Sequence, residues 1–326
     1  MNISPKGAEE LIASNVIDLA ETNRRVREDP AGLIAECESR YSDAVSHTAD
    51  MIIDNMANSP VVLLAGPSGS GKTTTAFRIE EELERRGIIT HSVSLDNYFK
   101  TVDPRTVPRT PDGDVDLESP LCLDMELLSE HFSQLARGEM IRIPRYVFAR
   151  QIRDPSRSTP LRLAKNEIAI FEGIHALNTD LTAPHPEAFK LYVTASGGYF
   201  INDEQILTRQ QLRLMRRVVR DFNFRGADAA YTLEMWPTVI RGERLYIDPY
   251  KLSADDWINS TLDYEVAVMK QFAGKLFLEL LGSTIVNEEL QSILPALALF
   301  SELDPAMTPE SSLLREFIGG GIYNYG

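Results

Sequence analysis

Residues Gly66-Pro67-Ser68-Gly69-Ser70-Gly71-Lys72-Thr73 spell G-x-x-x-x-G-K-T, the phosphate-binding pattern known as the P-loop. An apolar run of strand length, 61–65, precedes this segment, and a helical pattern from Thr73 to Arg86 follows it. In this context the backbone N–H groups of the loop face phosphate oxygens, and the helix adds the positive end of its dipole. The segment therefore predicts a bound nucleoside triphosphate.

Each part of this loop has an expected role. Its glycines let the backbone approach the phosphates closely. The Lys72 ammonium reaches the β- and γ-phosphates, and the Thr73 hydroxyl binds Mg²⁺, so the loop predicts Mg²⁺ beside the nucleoside triphosphate. The predicted nucleotide-binding residues are Gly66, Ser68, Gly69, Ser70, Gly71, Lys72, Thr73 and Thr74.

Length and composition are those of a globular protein. The chain has 326 residues, 43% hydrophobic and 25% charged, which suits one large domain with extensions or two domains. The two cysteines, Cys37 and Cys122, lack metal-ligand spacing and fit a reducing compartment. The N-terminus lacks the apolar core of a secretory signal, and no apolar run reaches the ~20 residues of a membrane span. We therefore expect a cytoplasmic protein that does not bind membranes.

The formal net charge of −15 is concentrated at the two ends of the chain. Residues 1–58 carry a net charge of −6 and residues 284–326 carry −5, which leaves −4 for the middle of the chain. The acidic ends are expected to be solvated helix faces. Because an acidic protein is repelled by a phosphate backbone, the charge argues against a nucleic-acid partner. Whether the chain forms a homo-oligomer is left open.

From residue 59 onward, strand-like and helix-like segments alternate, which is typical of a parallel sheet covered by helices. The predicted strands lie at 61–65, 88–95, 168–171 and 189–194, and the predicted helices lie at 73–86, 124–138, 201–224, 262–281 and 287–301. We predict a doubly wound, mainly parallel α/β domain of the P-loop NTPase type over 59–283. Residues 1–58 are predicted to form a helical N-terminal extension, with a helix starting at Asp29-Pro30, and residues 284–326 a helical C-terminal tail.

Two carboxylates follow predicted strands. Asp96 comes directly after the second strand, and Glu172 comes after the strand at 168–171. In open parallel sheets, ligands bind beyond the carboxyl ends of the strands. Phosphoryl transfer needs a group that places Mg²⁺ and a group that deprotonates the acceptor hydroxyl, and these two acids suit those roles. The alternative is that each is a helix cap or a solvated loop acid.

A stripe of arginines is predicted to lie on one face of a helix within 201–224. Like charges at this spacing repel each other, and Asp221 is the only acid within 209–225. The alternative is a solvated basic face. Because the arginines repel each other, however, the stripe favours the binding of an anion, such as the phosphate groups during transfer. The stripe comprises Arg209, Arg213, Arg216, Arg217 and Arg220.

A second basic stretch, 139–165, contains the aromatic residues Tyr146 and Phe148. These two rings could stack on a planar base, or they could be core residues of a hairpin. His175, just beyond Glu172, either lines the site or is structural. The basic residues of the stretch are Arg142, Arg145, Arg150, Arg153, Arg157, Arg162 and Lys165.

These segments together resemble the uridine kinase and phosphoribulokinase group of P-loop kinases over about 59–280. Beside the P-loop, Ser94-Leu95-Asp96-Asn97-Tyr98-Phe99 is similar to the family's S-x-D-x-F-Y segment, whose Asp is the catalytic base and approaches the metal. Phe171-Glu172-Gly173-Ile174 is similar to its E-G-I segment, whose Glu helps to place Mg²⁺. Residues 213–221 look like its arginine lid, expected around 209–225, and 312–320 look like its tail.

The resemblance is weaker around the acceptor. Glu118 stands where uridine kinases have the Asp of F-D-H-P that grips ribose hydroxyls, and Val147 replaces an Asp in the P-x-Y-D-F segment. The histidine with which relatives read uracil would fall near Gln151, whose amide can still donate and accept hydrogen bonds. The substrate contacts that we expect are Asp96, Tyr98, Phe99, Glu118, Tyr146, Phe148, Gln151, Arg153, His175 and Arg213.

The sequence thus predicts an ATP-dependent kinase of a nucleoside 5′-hydroxyl, with uridine or cytidine as the first acceptors to test. The predicted catalytic residues are Asp96, Lys72, Arg216, Arg217 and Arg220, and the predicted metal-binding residues are Thr73, Asp96 and Glu172. One alternative is a kinase of another small hydroxylated molecule or a sugar phosphate. Another is a sensor that binds ATP without transfer. A GTPase is disfavoured, because the guanine-reading N-K-x-D pattern is missing.

Overall fold

The computed structural model describes residues 15–281 and 288–325. Its strands are β1 (Asn15–Asp18), β2 (Val61–Ala65), β3 (Ile89–Ser94), β4 (Ile141–Val147), β5 (Ile152–Leu161), β6 (Glu167–Glu172), β7 (Phe189–Thr194), β8 (Gly197–Ile201), β9 (Glu204–Leu207) and β10 (Asp256–Asn259). Its α-helices are α1 (Leu19–Glu28), α2 (Pro30–Asn55), α3 (Lys72–Arg85), α4 (Met125–Ala136), α5 (Thr179–Thr182), α6 (Arg209–Phe224), α7 (Ala229–Tyr246), α8 (Glu265–Leu281), α9 (Glu288–Ala298) and α10 (Arg315–Ile318).

A parallel five-stranded sheet forms the centre of the fold, in the order β10-β7-β2-β6-β3. All five residues of β2 are buried, as expected for a central strand covered on both faces. Val62 and Leu64 belong to a hydrophobic core that α2, α3, α6 and α8 share, whereas Val61, Leu63 and Ala65 belong to a second core with α4 and the β4–β5 hairpin. The predicted α/β fold with a mainly parallel sheet is confirmed.

The N-terminal segment is not purely helical. Residues Asn15–Asp18 form β1, which pairs in parallel with β8 in a separate three-stranded sheet, so the prediction of a helical extension is wrong there. The start of α2 is as predicted, because the Asp29 carboxylate accepts a hydrogen bond from the Gly32 N–H at 3.0 Å. The Tyr41 hydroxyl of α2 lies 2.8 Å from the Thr75 hydroxyl of α3. This helix therefore packs directly on the helix that follows the glycine loop.

The helix predicted from residue 201 starts later in the structure. Residues Glu204–Leu207 form β9, which pairs with β8, and α6 begins only at Arg209. Thr208 and Gln211 form a reciprocal capping box at this start, with hydrogen bonds of 3.2 and 2.9 Å. Helix α7 and strand β10 were not predicted. Residue 287 of the helix predicted at 287–301 lies outside the described residues, and Glu288–Ala298 form α9, which ends three residues earlier than predicted. No helix within 15–281 or 288–325 has the length and apolar content of a membrane span.

A buried ion pair joins α6, α8 and the glycine loop. The Arg216 guanidinium donates to both carboxylate oxygens of Glu265, at 2.7 and 2.9 Å, and both side chains are fully buried. The same guanidinium donates to the Gly69 carbonyl at 3.1 Å. A paired charge in a dry core is tolerated only while its partner stays in place, so this pair fixes the loop relative to two helices.

Removal of one partner of this pair should destabilise the fold. We expect Glu265→Ala to lower the free energy of unfolding by about 3–5 kcal/mol, because it leaves the Arg216 charge buried without a counterion. Urea denaturation followed by circular dichroism measures the change. Glu279→Ala, at an exposed acid of the same helix, should stay within about 0.5 kcal/mol of the parent. Equal stability of the two variants would contradict this assignment.

Candidate active site

The glycine loop connects the carboxyl end of β2 to the start of α3. Gly69 and Gly71 have φ angles of 75° and 83°, a backbone region that favours glycine. A Cβ at Gly69 would also come within 2.9 Å of the Arg213 carbonyl oxygen. The first intrahelical bond of α3 runs from the Thr75 N–H to the Gly71 carbonyl, at 3.0 Å. The N–H groups before Thr75 are therefore the ones that a helix leaves for an anion.

Three carbonyls of the loop accept hydrogen bonds from side chains that lie behind it. The Ser68 and Gly69 carbonyls accept from Arg213 at 3.4 Å and from Arg216 at 3.1 Å. The Ser70 carbonyl accepts from the Ser260 hydroxyl at 2.6 Å. The Ser70 N–H donates to the Pro67 carbonyl at 3.2 Å, and the other N–H groups of the loop can face the side opposite to the occupied carbonyls. The loop therefore has the shape that phosphate binding requires.

The two predicted strand-end acids lie at the same edge of the sheet as the loop. Glu172 is the last residue of β6, and its register partner on β3 is Ser94, two residues before Asp96. Asp96 lies in the short turn Leu95–Tyr98, where its N–H is bound by the Ser94 hydroxyl at 3.3 Å. Both carboxylates interact electrostatically with the Lys72 ammonium. The structure therefore brings these three predicted residues together.

Burial shapes the charge of this group. It raises the pKa of Glu172 to about 7, against the opposing effect of Lys72. The surrounding protein also raises the pKa of Asp96, and the positive charge of Lys72 opposes this shift. The Asp96 side chain itself stays open to solvent. Burial lowers the pKa of Lys72 in turn. Together with the Thr73 hydroxyl, the two carboxylates offer the oxygen ligands that Mg²⁺ prefers, so the residues present fit a magnesium ion beside the phosphates.

Glu118 belongs to the same electrostatic environment. Burial raises its pKa to about 7, and the charges of Arg217 and Lys72 oppose this shift. Its side-chain carbons pack on α7, where a Cβ at Gly242 would come within 2.5 Å of the Glu118 Cβ. The structure thus places Glu118, a predicted contact to the acceptor substrate, close to the phosphate side of the cleft.

Sequence reasoning missed the residue that anchors Glu118. Asp116 is buried, and one of its carboxylate oxygens accepts from Arg241 at 3.1 Å and from the Tyr246 hydroxyl at 2.8 Å. Both partners lie on α7, a helix that was not predicted, so no local pattern singles out Asp116. This contact fixes the loop that carries Glu118 to α7.

The expectation of an unpartnered arginine stripe is wrong for Arg213 and Arg216. Arg213 is buried against Glu243 of α7, at 2.5 Å, just as Arg216 is paired with Glu265. These acids lie far from α6 in the sequence, which is why the spacing along the helix did not reveal them. Arg216 is a positioning residue of the loop, because contact with a phosphoryl group would require it to leave a fully buried pair.

Arg217 and Arg220 remain candidates for contact with phosphates. Their side chains are 18% and 13% exposed. Arg217 donates to the Ser68 hydroxyl of the loop at 2.8 Å, and its guanidinium lies 3.2 Å from Asp221. Arg220 shares the same carboxylate, also at 3.2 Å. One acid thus holds both cations beside the glycine loop, and the Arg225 guanidinium lies 3.6 Å from the same carboxylate.

An aromatic cavity of about 160 Å³ lies between the β4–β5 hairpin and the segment after Asp96. Its rings come from Phe99, Tyr146 and Phe148, whose centroids are 5.0–6.2 Å apart. Gln151, in the left-handed region with φ 53°, also lines the cavity. The structure therefore brings these four predicted substrate contacts into one cavity.

Three other predicted substrate contacts have different surroundings. Tyr98 is fully buried and its hydroxyl lies 2.8 Å from His131 Nδ1, so it is a core residue. The Arg153 guanidinium is bound by Asp124 at 2.8 Å and by the Tyr98 carbonyl at 2.8 Å, so it braces the hairpin. The structure therefore does not bring Tyr98 or Arg153 into the aromatic cavity. His175 is 1% exposed, and burial lowers its pKa to about 4, which favours its structural interpretation.

Comparison with known proteins adds to this geometry. Residues 61–267, more than half of the chain, match the Phosphoribulokinase / Uridine kinase family. A uridine kinase from Schizosaccharomyces pombe is 32% identical over 178 residues, which are 55% of this chain and 35% of that protein. A uridine kinase from Bacillus pumilus is 31% identical over 202 residues, 61% of this chain and 86% of that protein. The chain thus spans only about a third of the length of the first relative.

Among solved structures, D-glycerate 3-kinase from Cryptococcus neoformans aligns with 81% of this chain and 89% of its own, at 17% identity and a TM-score of 0.31. A likeness at these values carries no conclusion about activity. The family match covers the glycine loop, both strand-end carboxylates and α6. This chain belongs to the Phosphoribulokinase / Uridine kinase family, and it is a P-loop kinase.

Proposed function

We propose that the enzyme transfers the γ-phosphoryl group of ATP to the 5′-hydroxyl of a nucleoside, with Mg²⁺ as the metal. The observation that carries this proposal is the position of Asp96. It interacts with Lys72 of the phosphate loop, and three residues later the chain enters the aromatic cavity at Phe99. An acceptor base in that cavity would direct its sugar hydroxyl toward the carboxylate.

The donor half of the site would work by positioning and charge. The N–H groups of the loop and Lys72 would hold the triphosphate, while Thr73 and Glu172 would hold Mg²⁺, which screens the phosphate charge. Arg217 and Arg220 would stabilise the negative charge that develops on the phosphoryl group in transfer.

At the acceptor, Asp96 would take the proton of the 5′-hydroxyl. The 5′-oxygen would form a bond to the γ-phosphorus as the bond from that phosphorus to the β,γ-bridging oxygen breaks. The products are ADP and the nucleoside 5′-monophosphate, and the proton passes from Asp96 to solvent. Glu118, in the position of the ribose-gripping acid of uridine kinases, would hold the sugar hydroxyls.

The cavity favours a neutral acceptor over a sugar phosphate. Most of its lining is aromatic or aliphatic, and its charged lining residues, Lys100 and Asp103, are of opposite sign. Two arginines of the basic stretch 139–165, which could otherwise attract an anionic acceptor, have partners within the protein: Arg153 binds Asp124, and Arg162 donates to the Gly138 carbonyl at 2.9 Å. Uridine, the substrate named for the relatives, and cytidine are therefore the first acceptors to test.

An ADP-release assay over a panel of nucleosides and sugar phosphates tests the acceptor directly. We expect turnover with uridine or cytidine at least tenfold above that with any sugar phosphate, because discrimination of this size needs only ~1.4 kcal/mol. Turnover with a sugar phosphate alone would support the other acceptor class. Tight nucleotide binding without consumption of ATP by any acceptor would identify a sensor and contradict the proposal.

The raised pKa of Glu172 predicts a pH profile that depends on magnesium. The carboxylate must be ionised to bind Mg²⁺, and its pKa is about 7, so kcat/KM should fall about tenfold per unit as the pH drops below ~7. Because the metal competes with the proton, higher Mg²⁺ should move the midpoint to lower pH. Initial rates across pH at two Mg²⁺ concentrations measure this shift. Glu118 also has a pKa near 7 but holds no metal in this scheme, so a midpoint that ignores Mg²⁺ would contradict the assignment.

A further inference from the structure

The C-terminal tail, defined here as residues 312–325, packs along α3. Leu313 lies so close to Gly71 that a Cβ at this glycine would come within 2.6 Å of the leucine side chain. The Tyr323 ring stacks on Phe77, with centroids 5.4 Å apart. The tail thus covers the beginning of the helix that follows the glycine loop.

Glu316 brings a carboxylate to the first turn of this helix. It is 4% exposed, and its Oε2 accepts from the Thr74 hydroxyl at 2.5 Å and from the Thr74 N–H at 3.3 Å. The Thr74 N–H precedes the first intrahelical bond, which runs from Thr75 to Gly71, so the helix itself leaves it unpaired. In P-loops, N–H groups at this position hold the α- and β-phosphates of the nucleotide. Glu316 therefore occupies a group that a bound nucleotide would use.

The same carboxylate interacts with two cations of the phosphate site. Its Oε1 lies 3.9 Å from the Arg220 guanidinium, which is otherwise bound to Asp221. Burial lowers the pKa of Lys72, and the charges of Glu172 and Glu316 oppose this shift. The negative charge of Glu316 thus acts on cations that would bind phosphates.

We propose that Glu316 is a positioning residue that competes with the nucleotide. In the absence of nucleotide it holds Thr74 and Arg220, and it yields both to the phosphates when ATP binds. Two anions a few ångströms apart repel each other strongly in a partly buried site, so the tail moves away from α3 as the nucleotide enters. This inference rests on the proposed ATP site and adds a tail-linked control of nucleotide affinity.

Glu316→Gln tests the competition, because the amide keeps the size and an acceptor oxygen but loses the charge. Calorimetric titration with Mg-ADP, which avoids turnover, measures the affinity. We expect the variant to bind Mg-ADP about tenfold more tightly than the parent, within the usual range of coupling between two sites. Glu310→Gln, the same change at an exposed residue six positions earlier, should leave the affinity unchanged. A purely structural Glu316 would instead make the variant bind more weakly.

Hydrogen exchange of the unmodified protein gives a second readout that does not depend on the stability of the variant. We expect saturating Mg-ADP to speed amide exchange in 312–325. Unchanged or weaker binding by Glu316→Gln, or slower or unaltered exchange in the tail, would overturn the inference. If the parent protein bound no Mg-ADP, the proposed function itself would fail, whereas normal binding by the parent with either of those results would overturn only the role of Glu316.

Discussion

The fold depends on the pairing of buried arginines behind the glycine loop. A loop that must present N–H groups to phosphates needs its carbonyls held elsewhere, because an unpaired buried carbonyl is costly. Arg213 and Arg216 supply these donors, and each is neutralised by a glutamate from a different helix, Glu243 or Glu265. Helices α6, α7 and α8 are thereby tied to the loop, so the core and the nucleotide site share one set of contacts.

This arrangement explains why the arginines of α6 have two different roles. The arginines that face the core hold the shape of the loop, whereas Arg217 and Arg220 lie at its rim, where Asp221 keeps them beside the phosphate side. Whether an arginine of this helix holds the loop or lies beside the phosphates thus depends on how deeply its side chain is buried. The acidic character of the whole chain does not oppose nucleotide binding, because the charges nearest the loop are set by these local pairs.

The sequence predicted the features that depend on local pattern. The glycine loop, the strands that flank it and the strand-end acids Asp96 and Glu172 follow from short-range periodicity, and the structure places them together. It did not reveal contacts between distant segments, such as the partners of Arg216. The sequence predicts a helix where β9 lies, because four residues carry little periodic signal beside the long amphipathic α6. Tyr98 lies beside Phe99 in the sequence, but only the latter lines the cavity, a difference that spacing alone could not show.

An Asp96→Asn variant tests the proposed role of Asp96 as the base that links the two halves of the site. Asn keeps the size of the side chain but cannot accept the proton of the acceptor hydroxyl. Single-turnover phosphorylation of uridine or cytidine, measured beside Mg-ADP affinity, should show a rate loss of about 10²–10⁴ with affinity nearly unchanged. Asp112→Asn, at an exposed acid in the following loop, should behave like the parent. Normal turnover by Asp96→Asn would show that Asp96 is not the base.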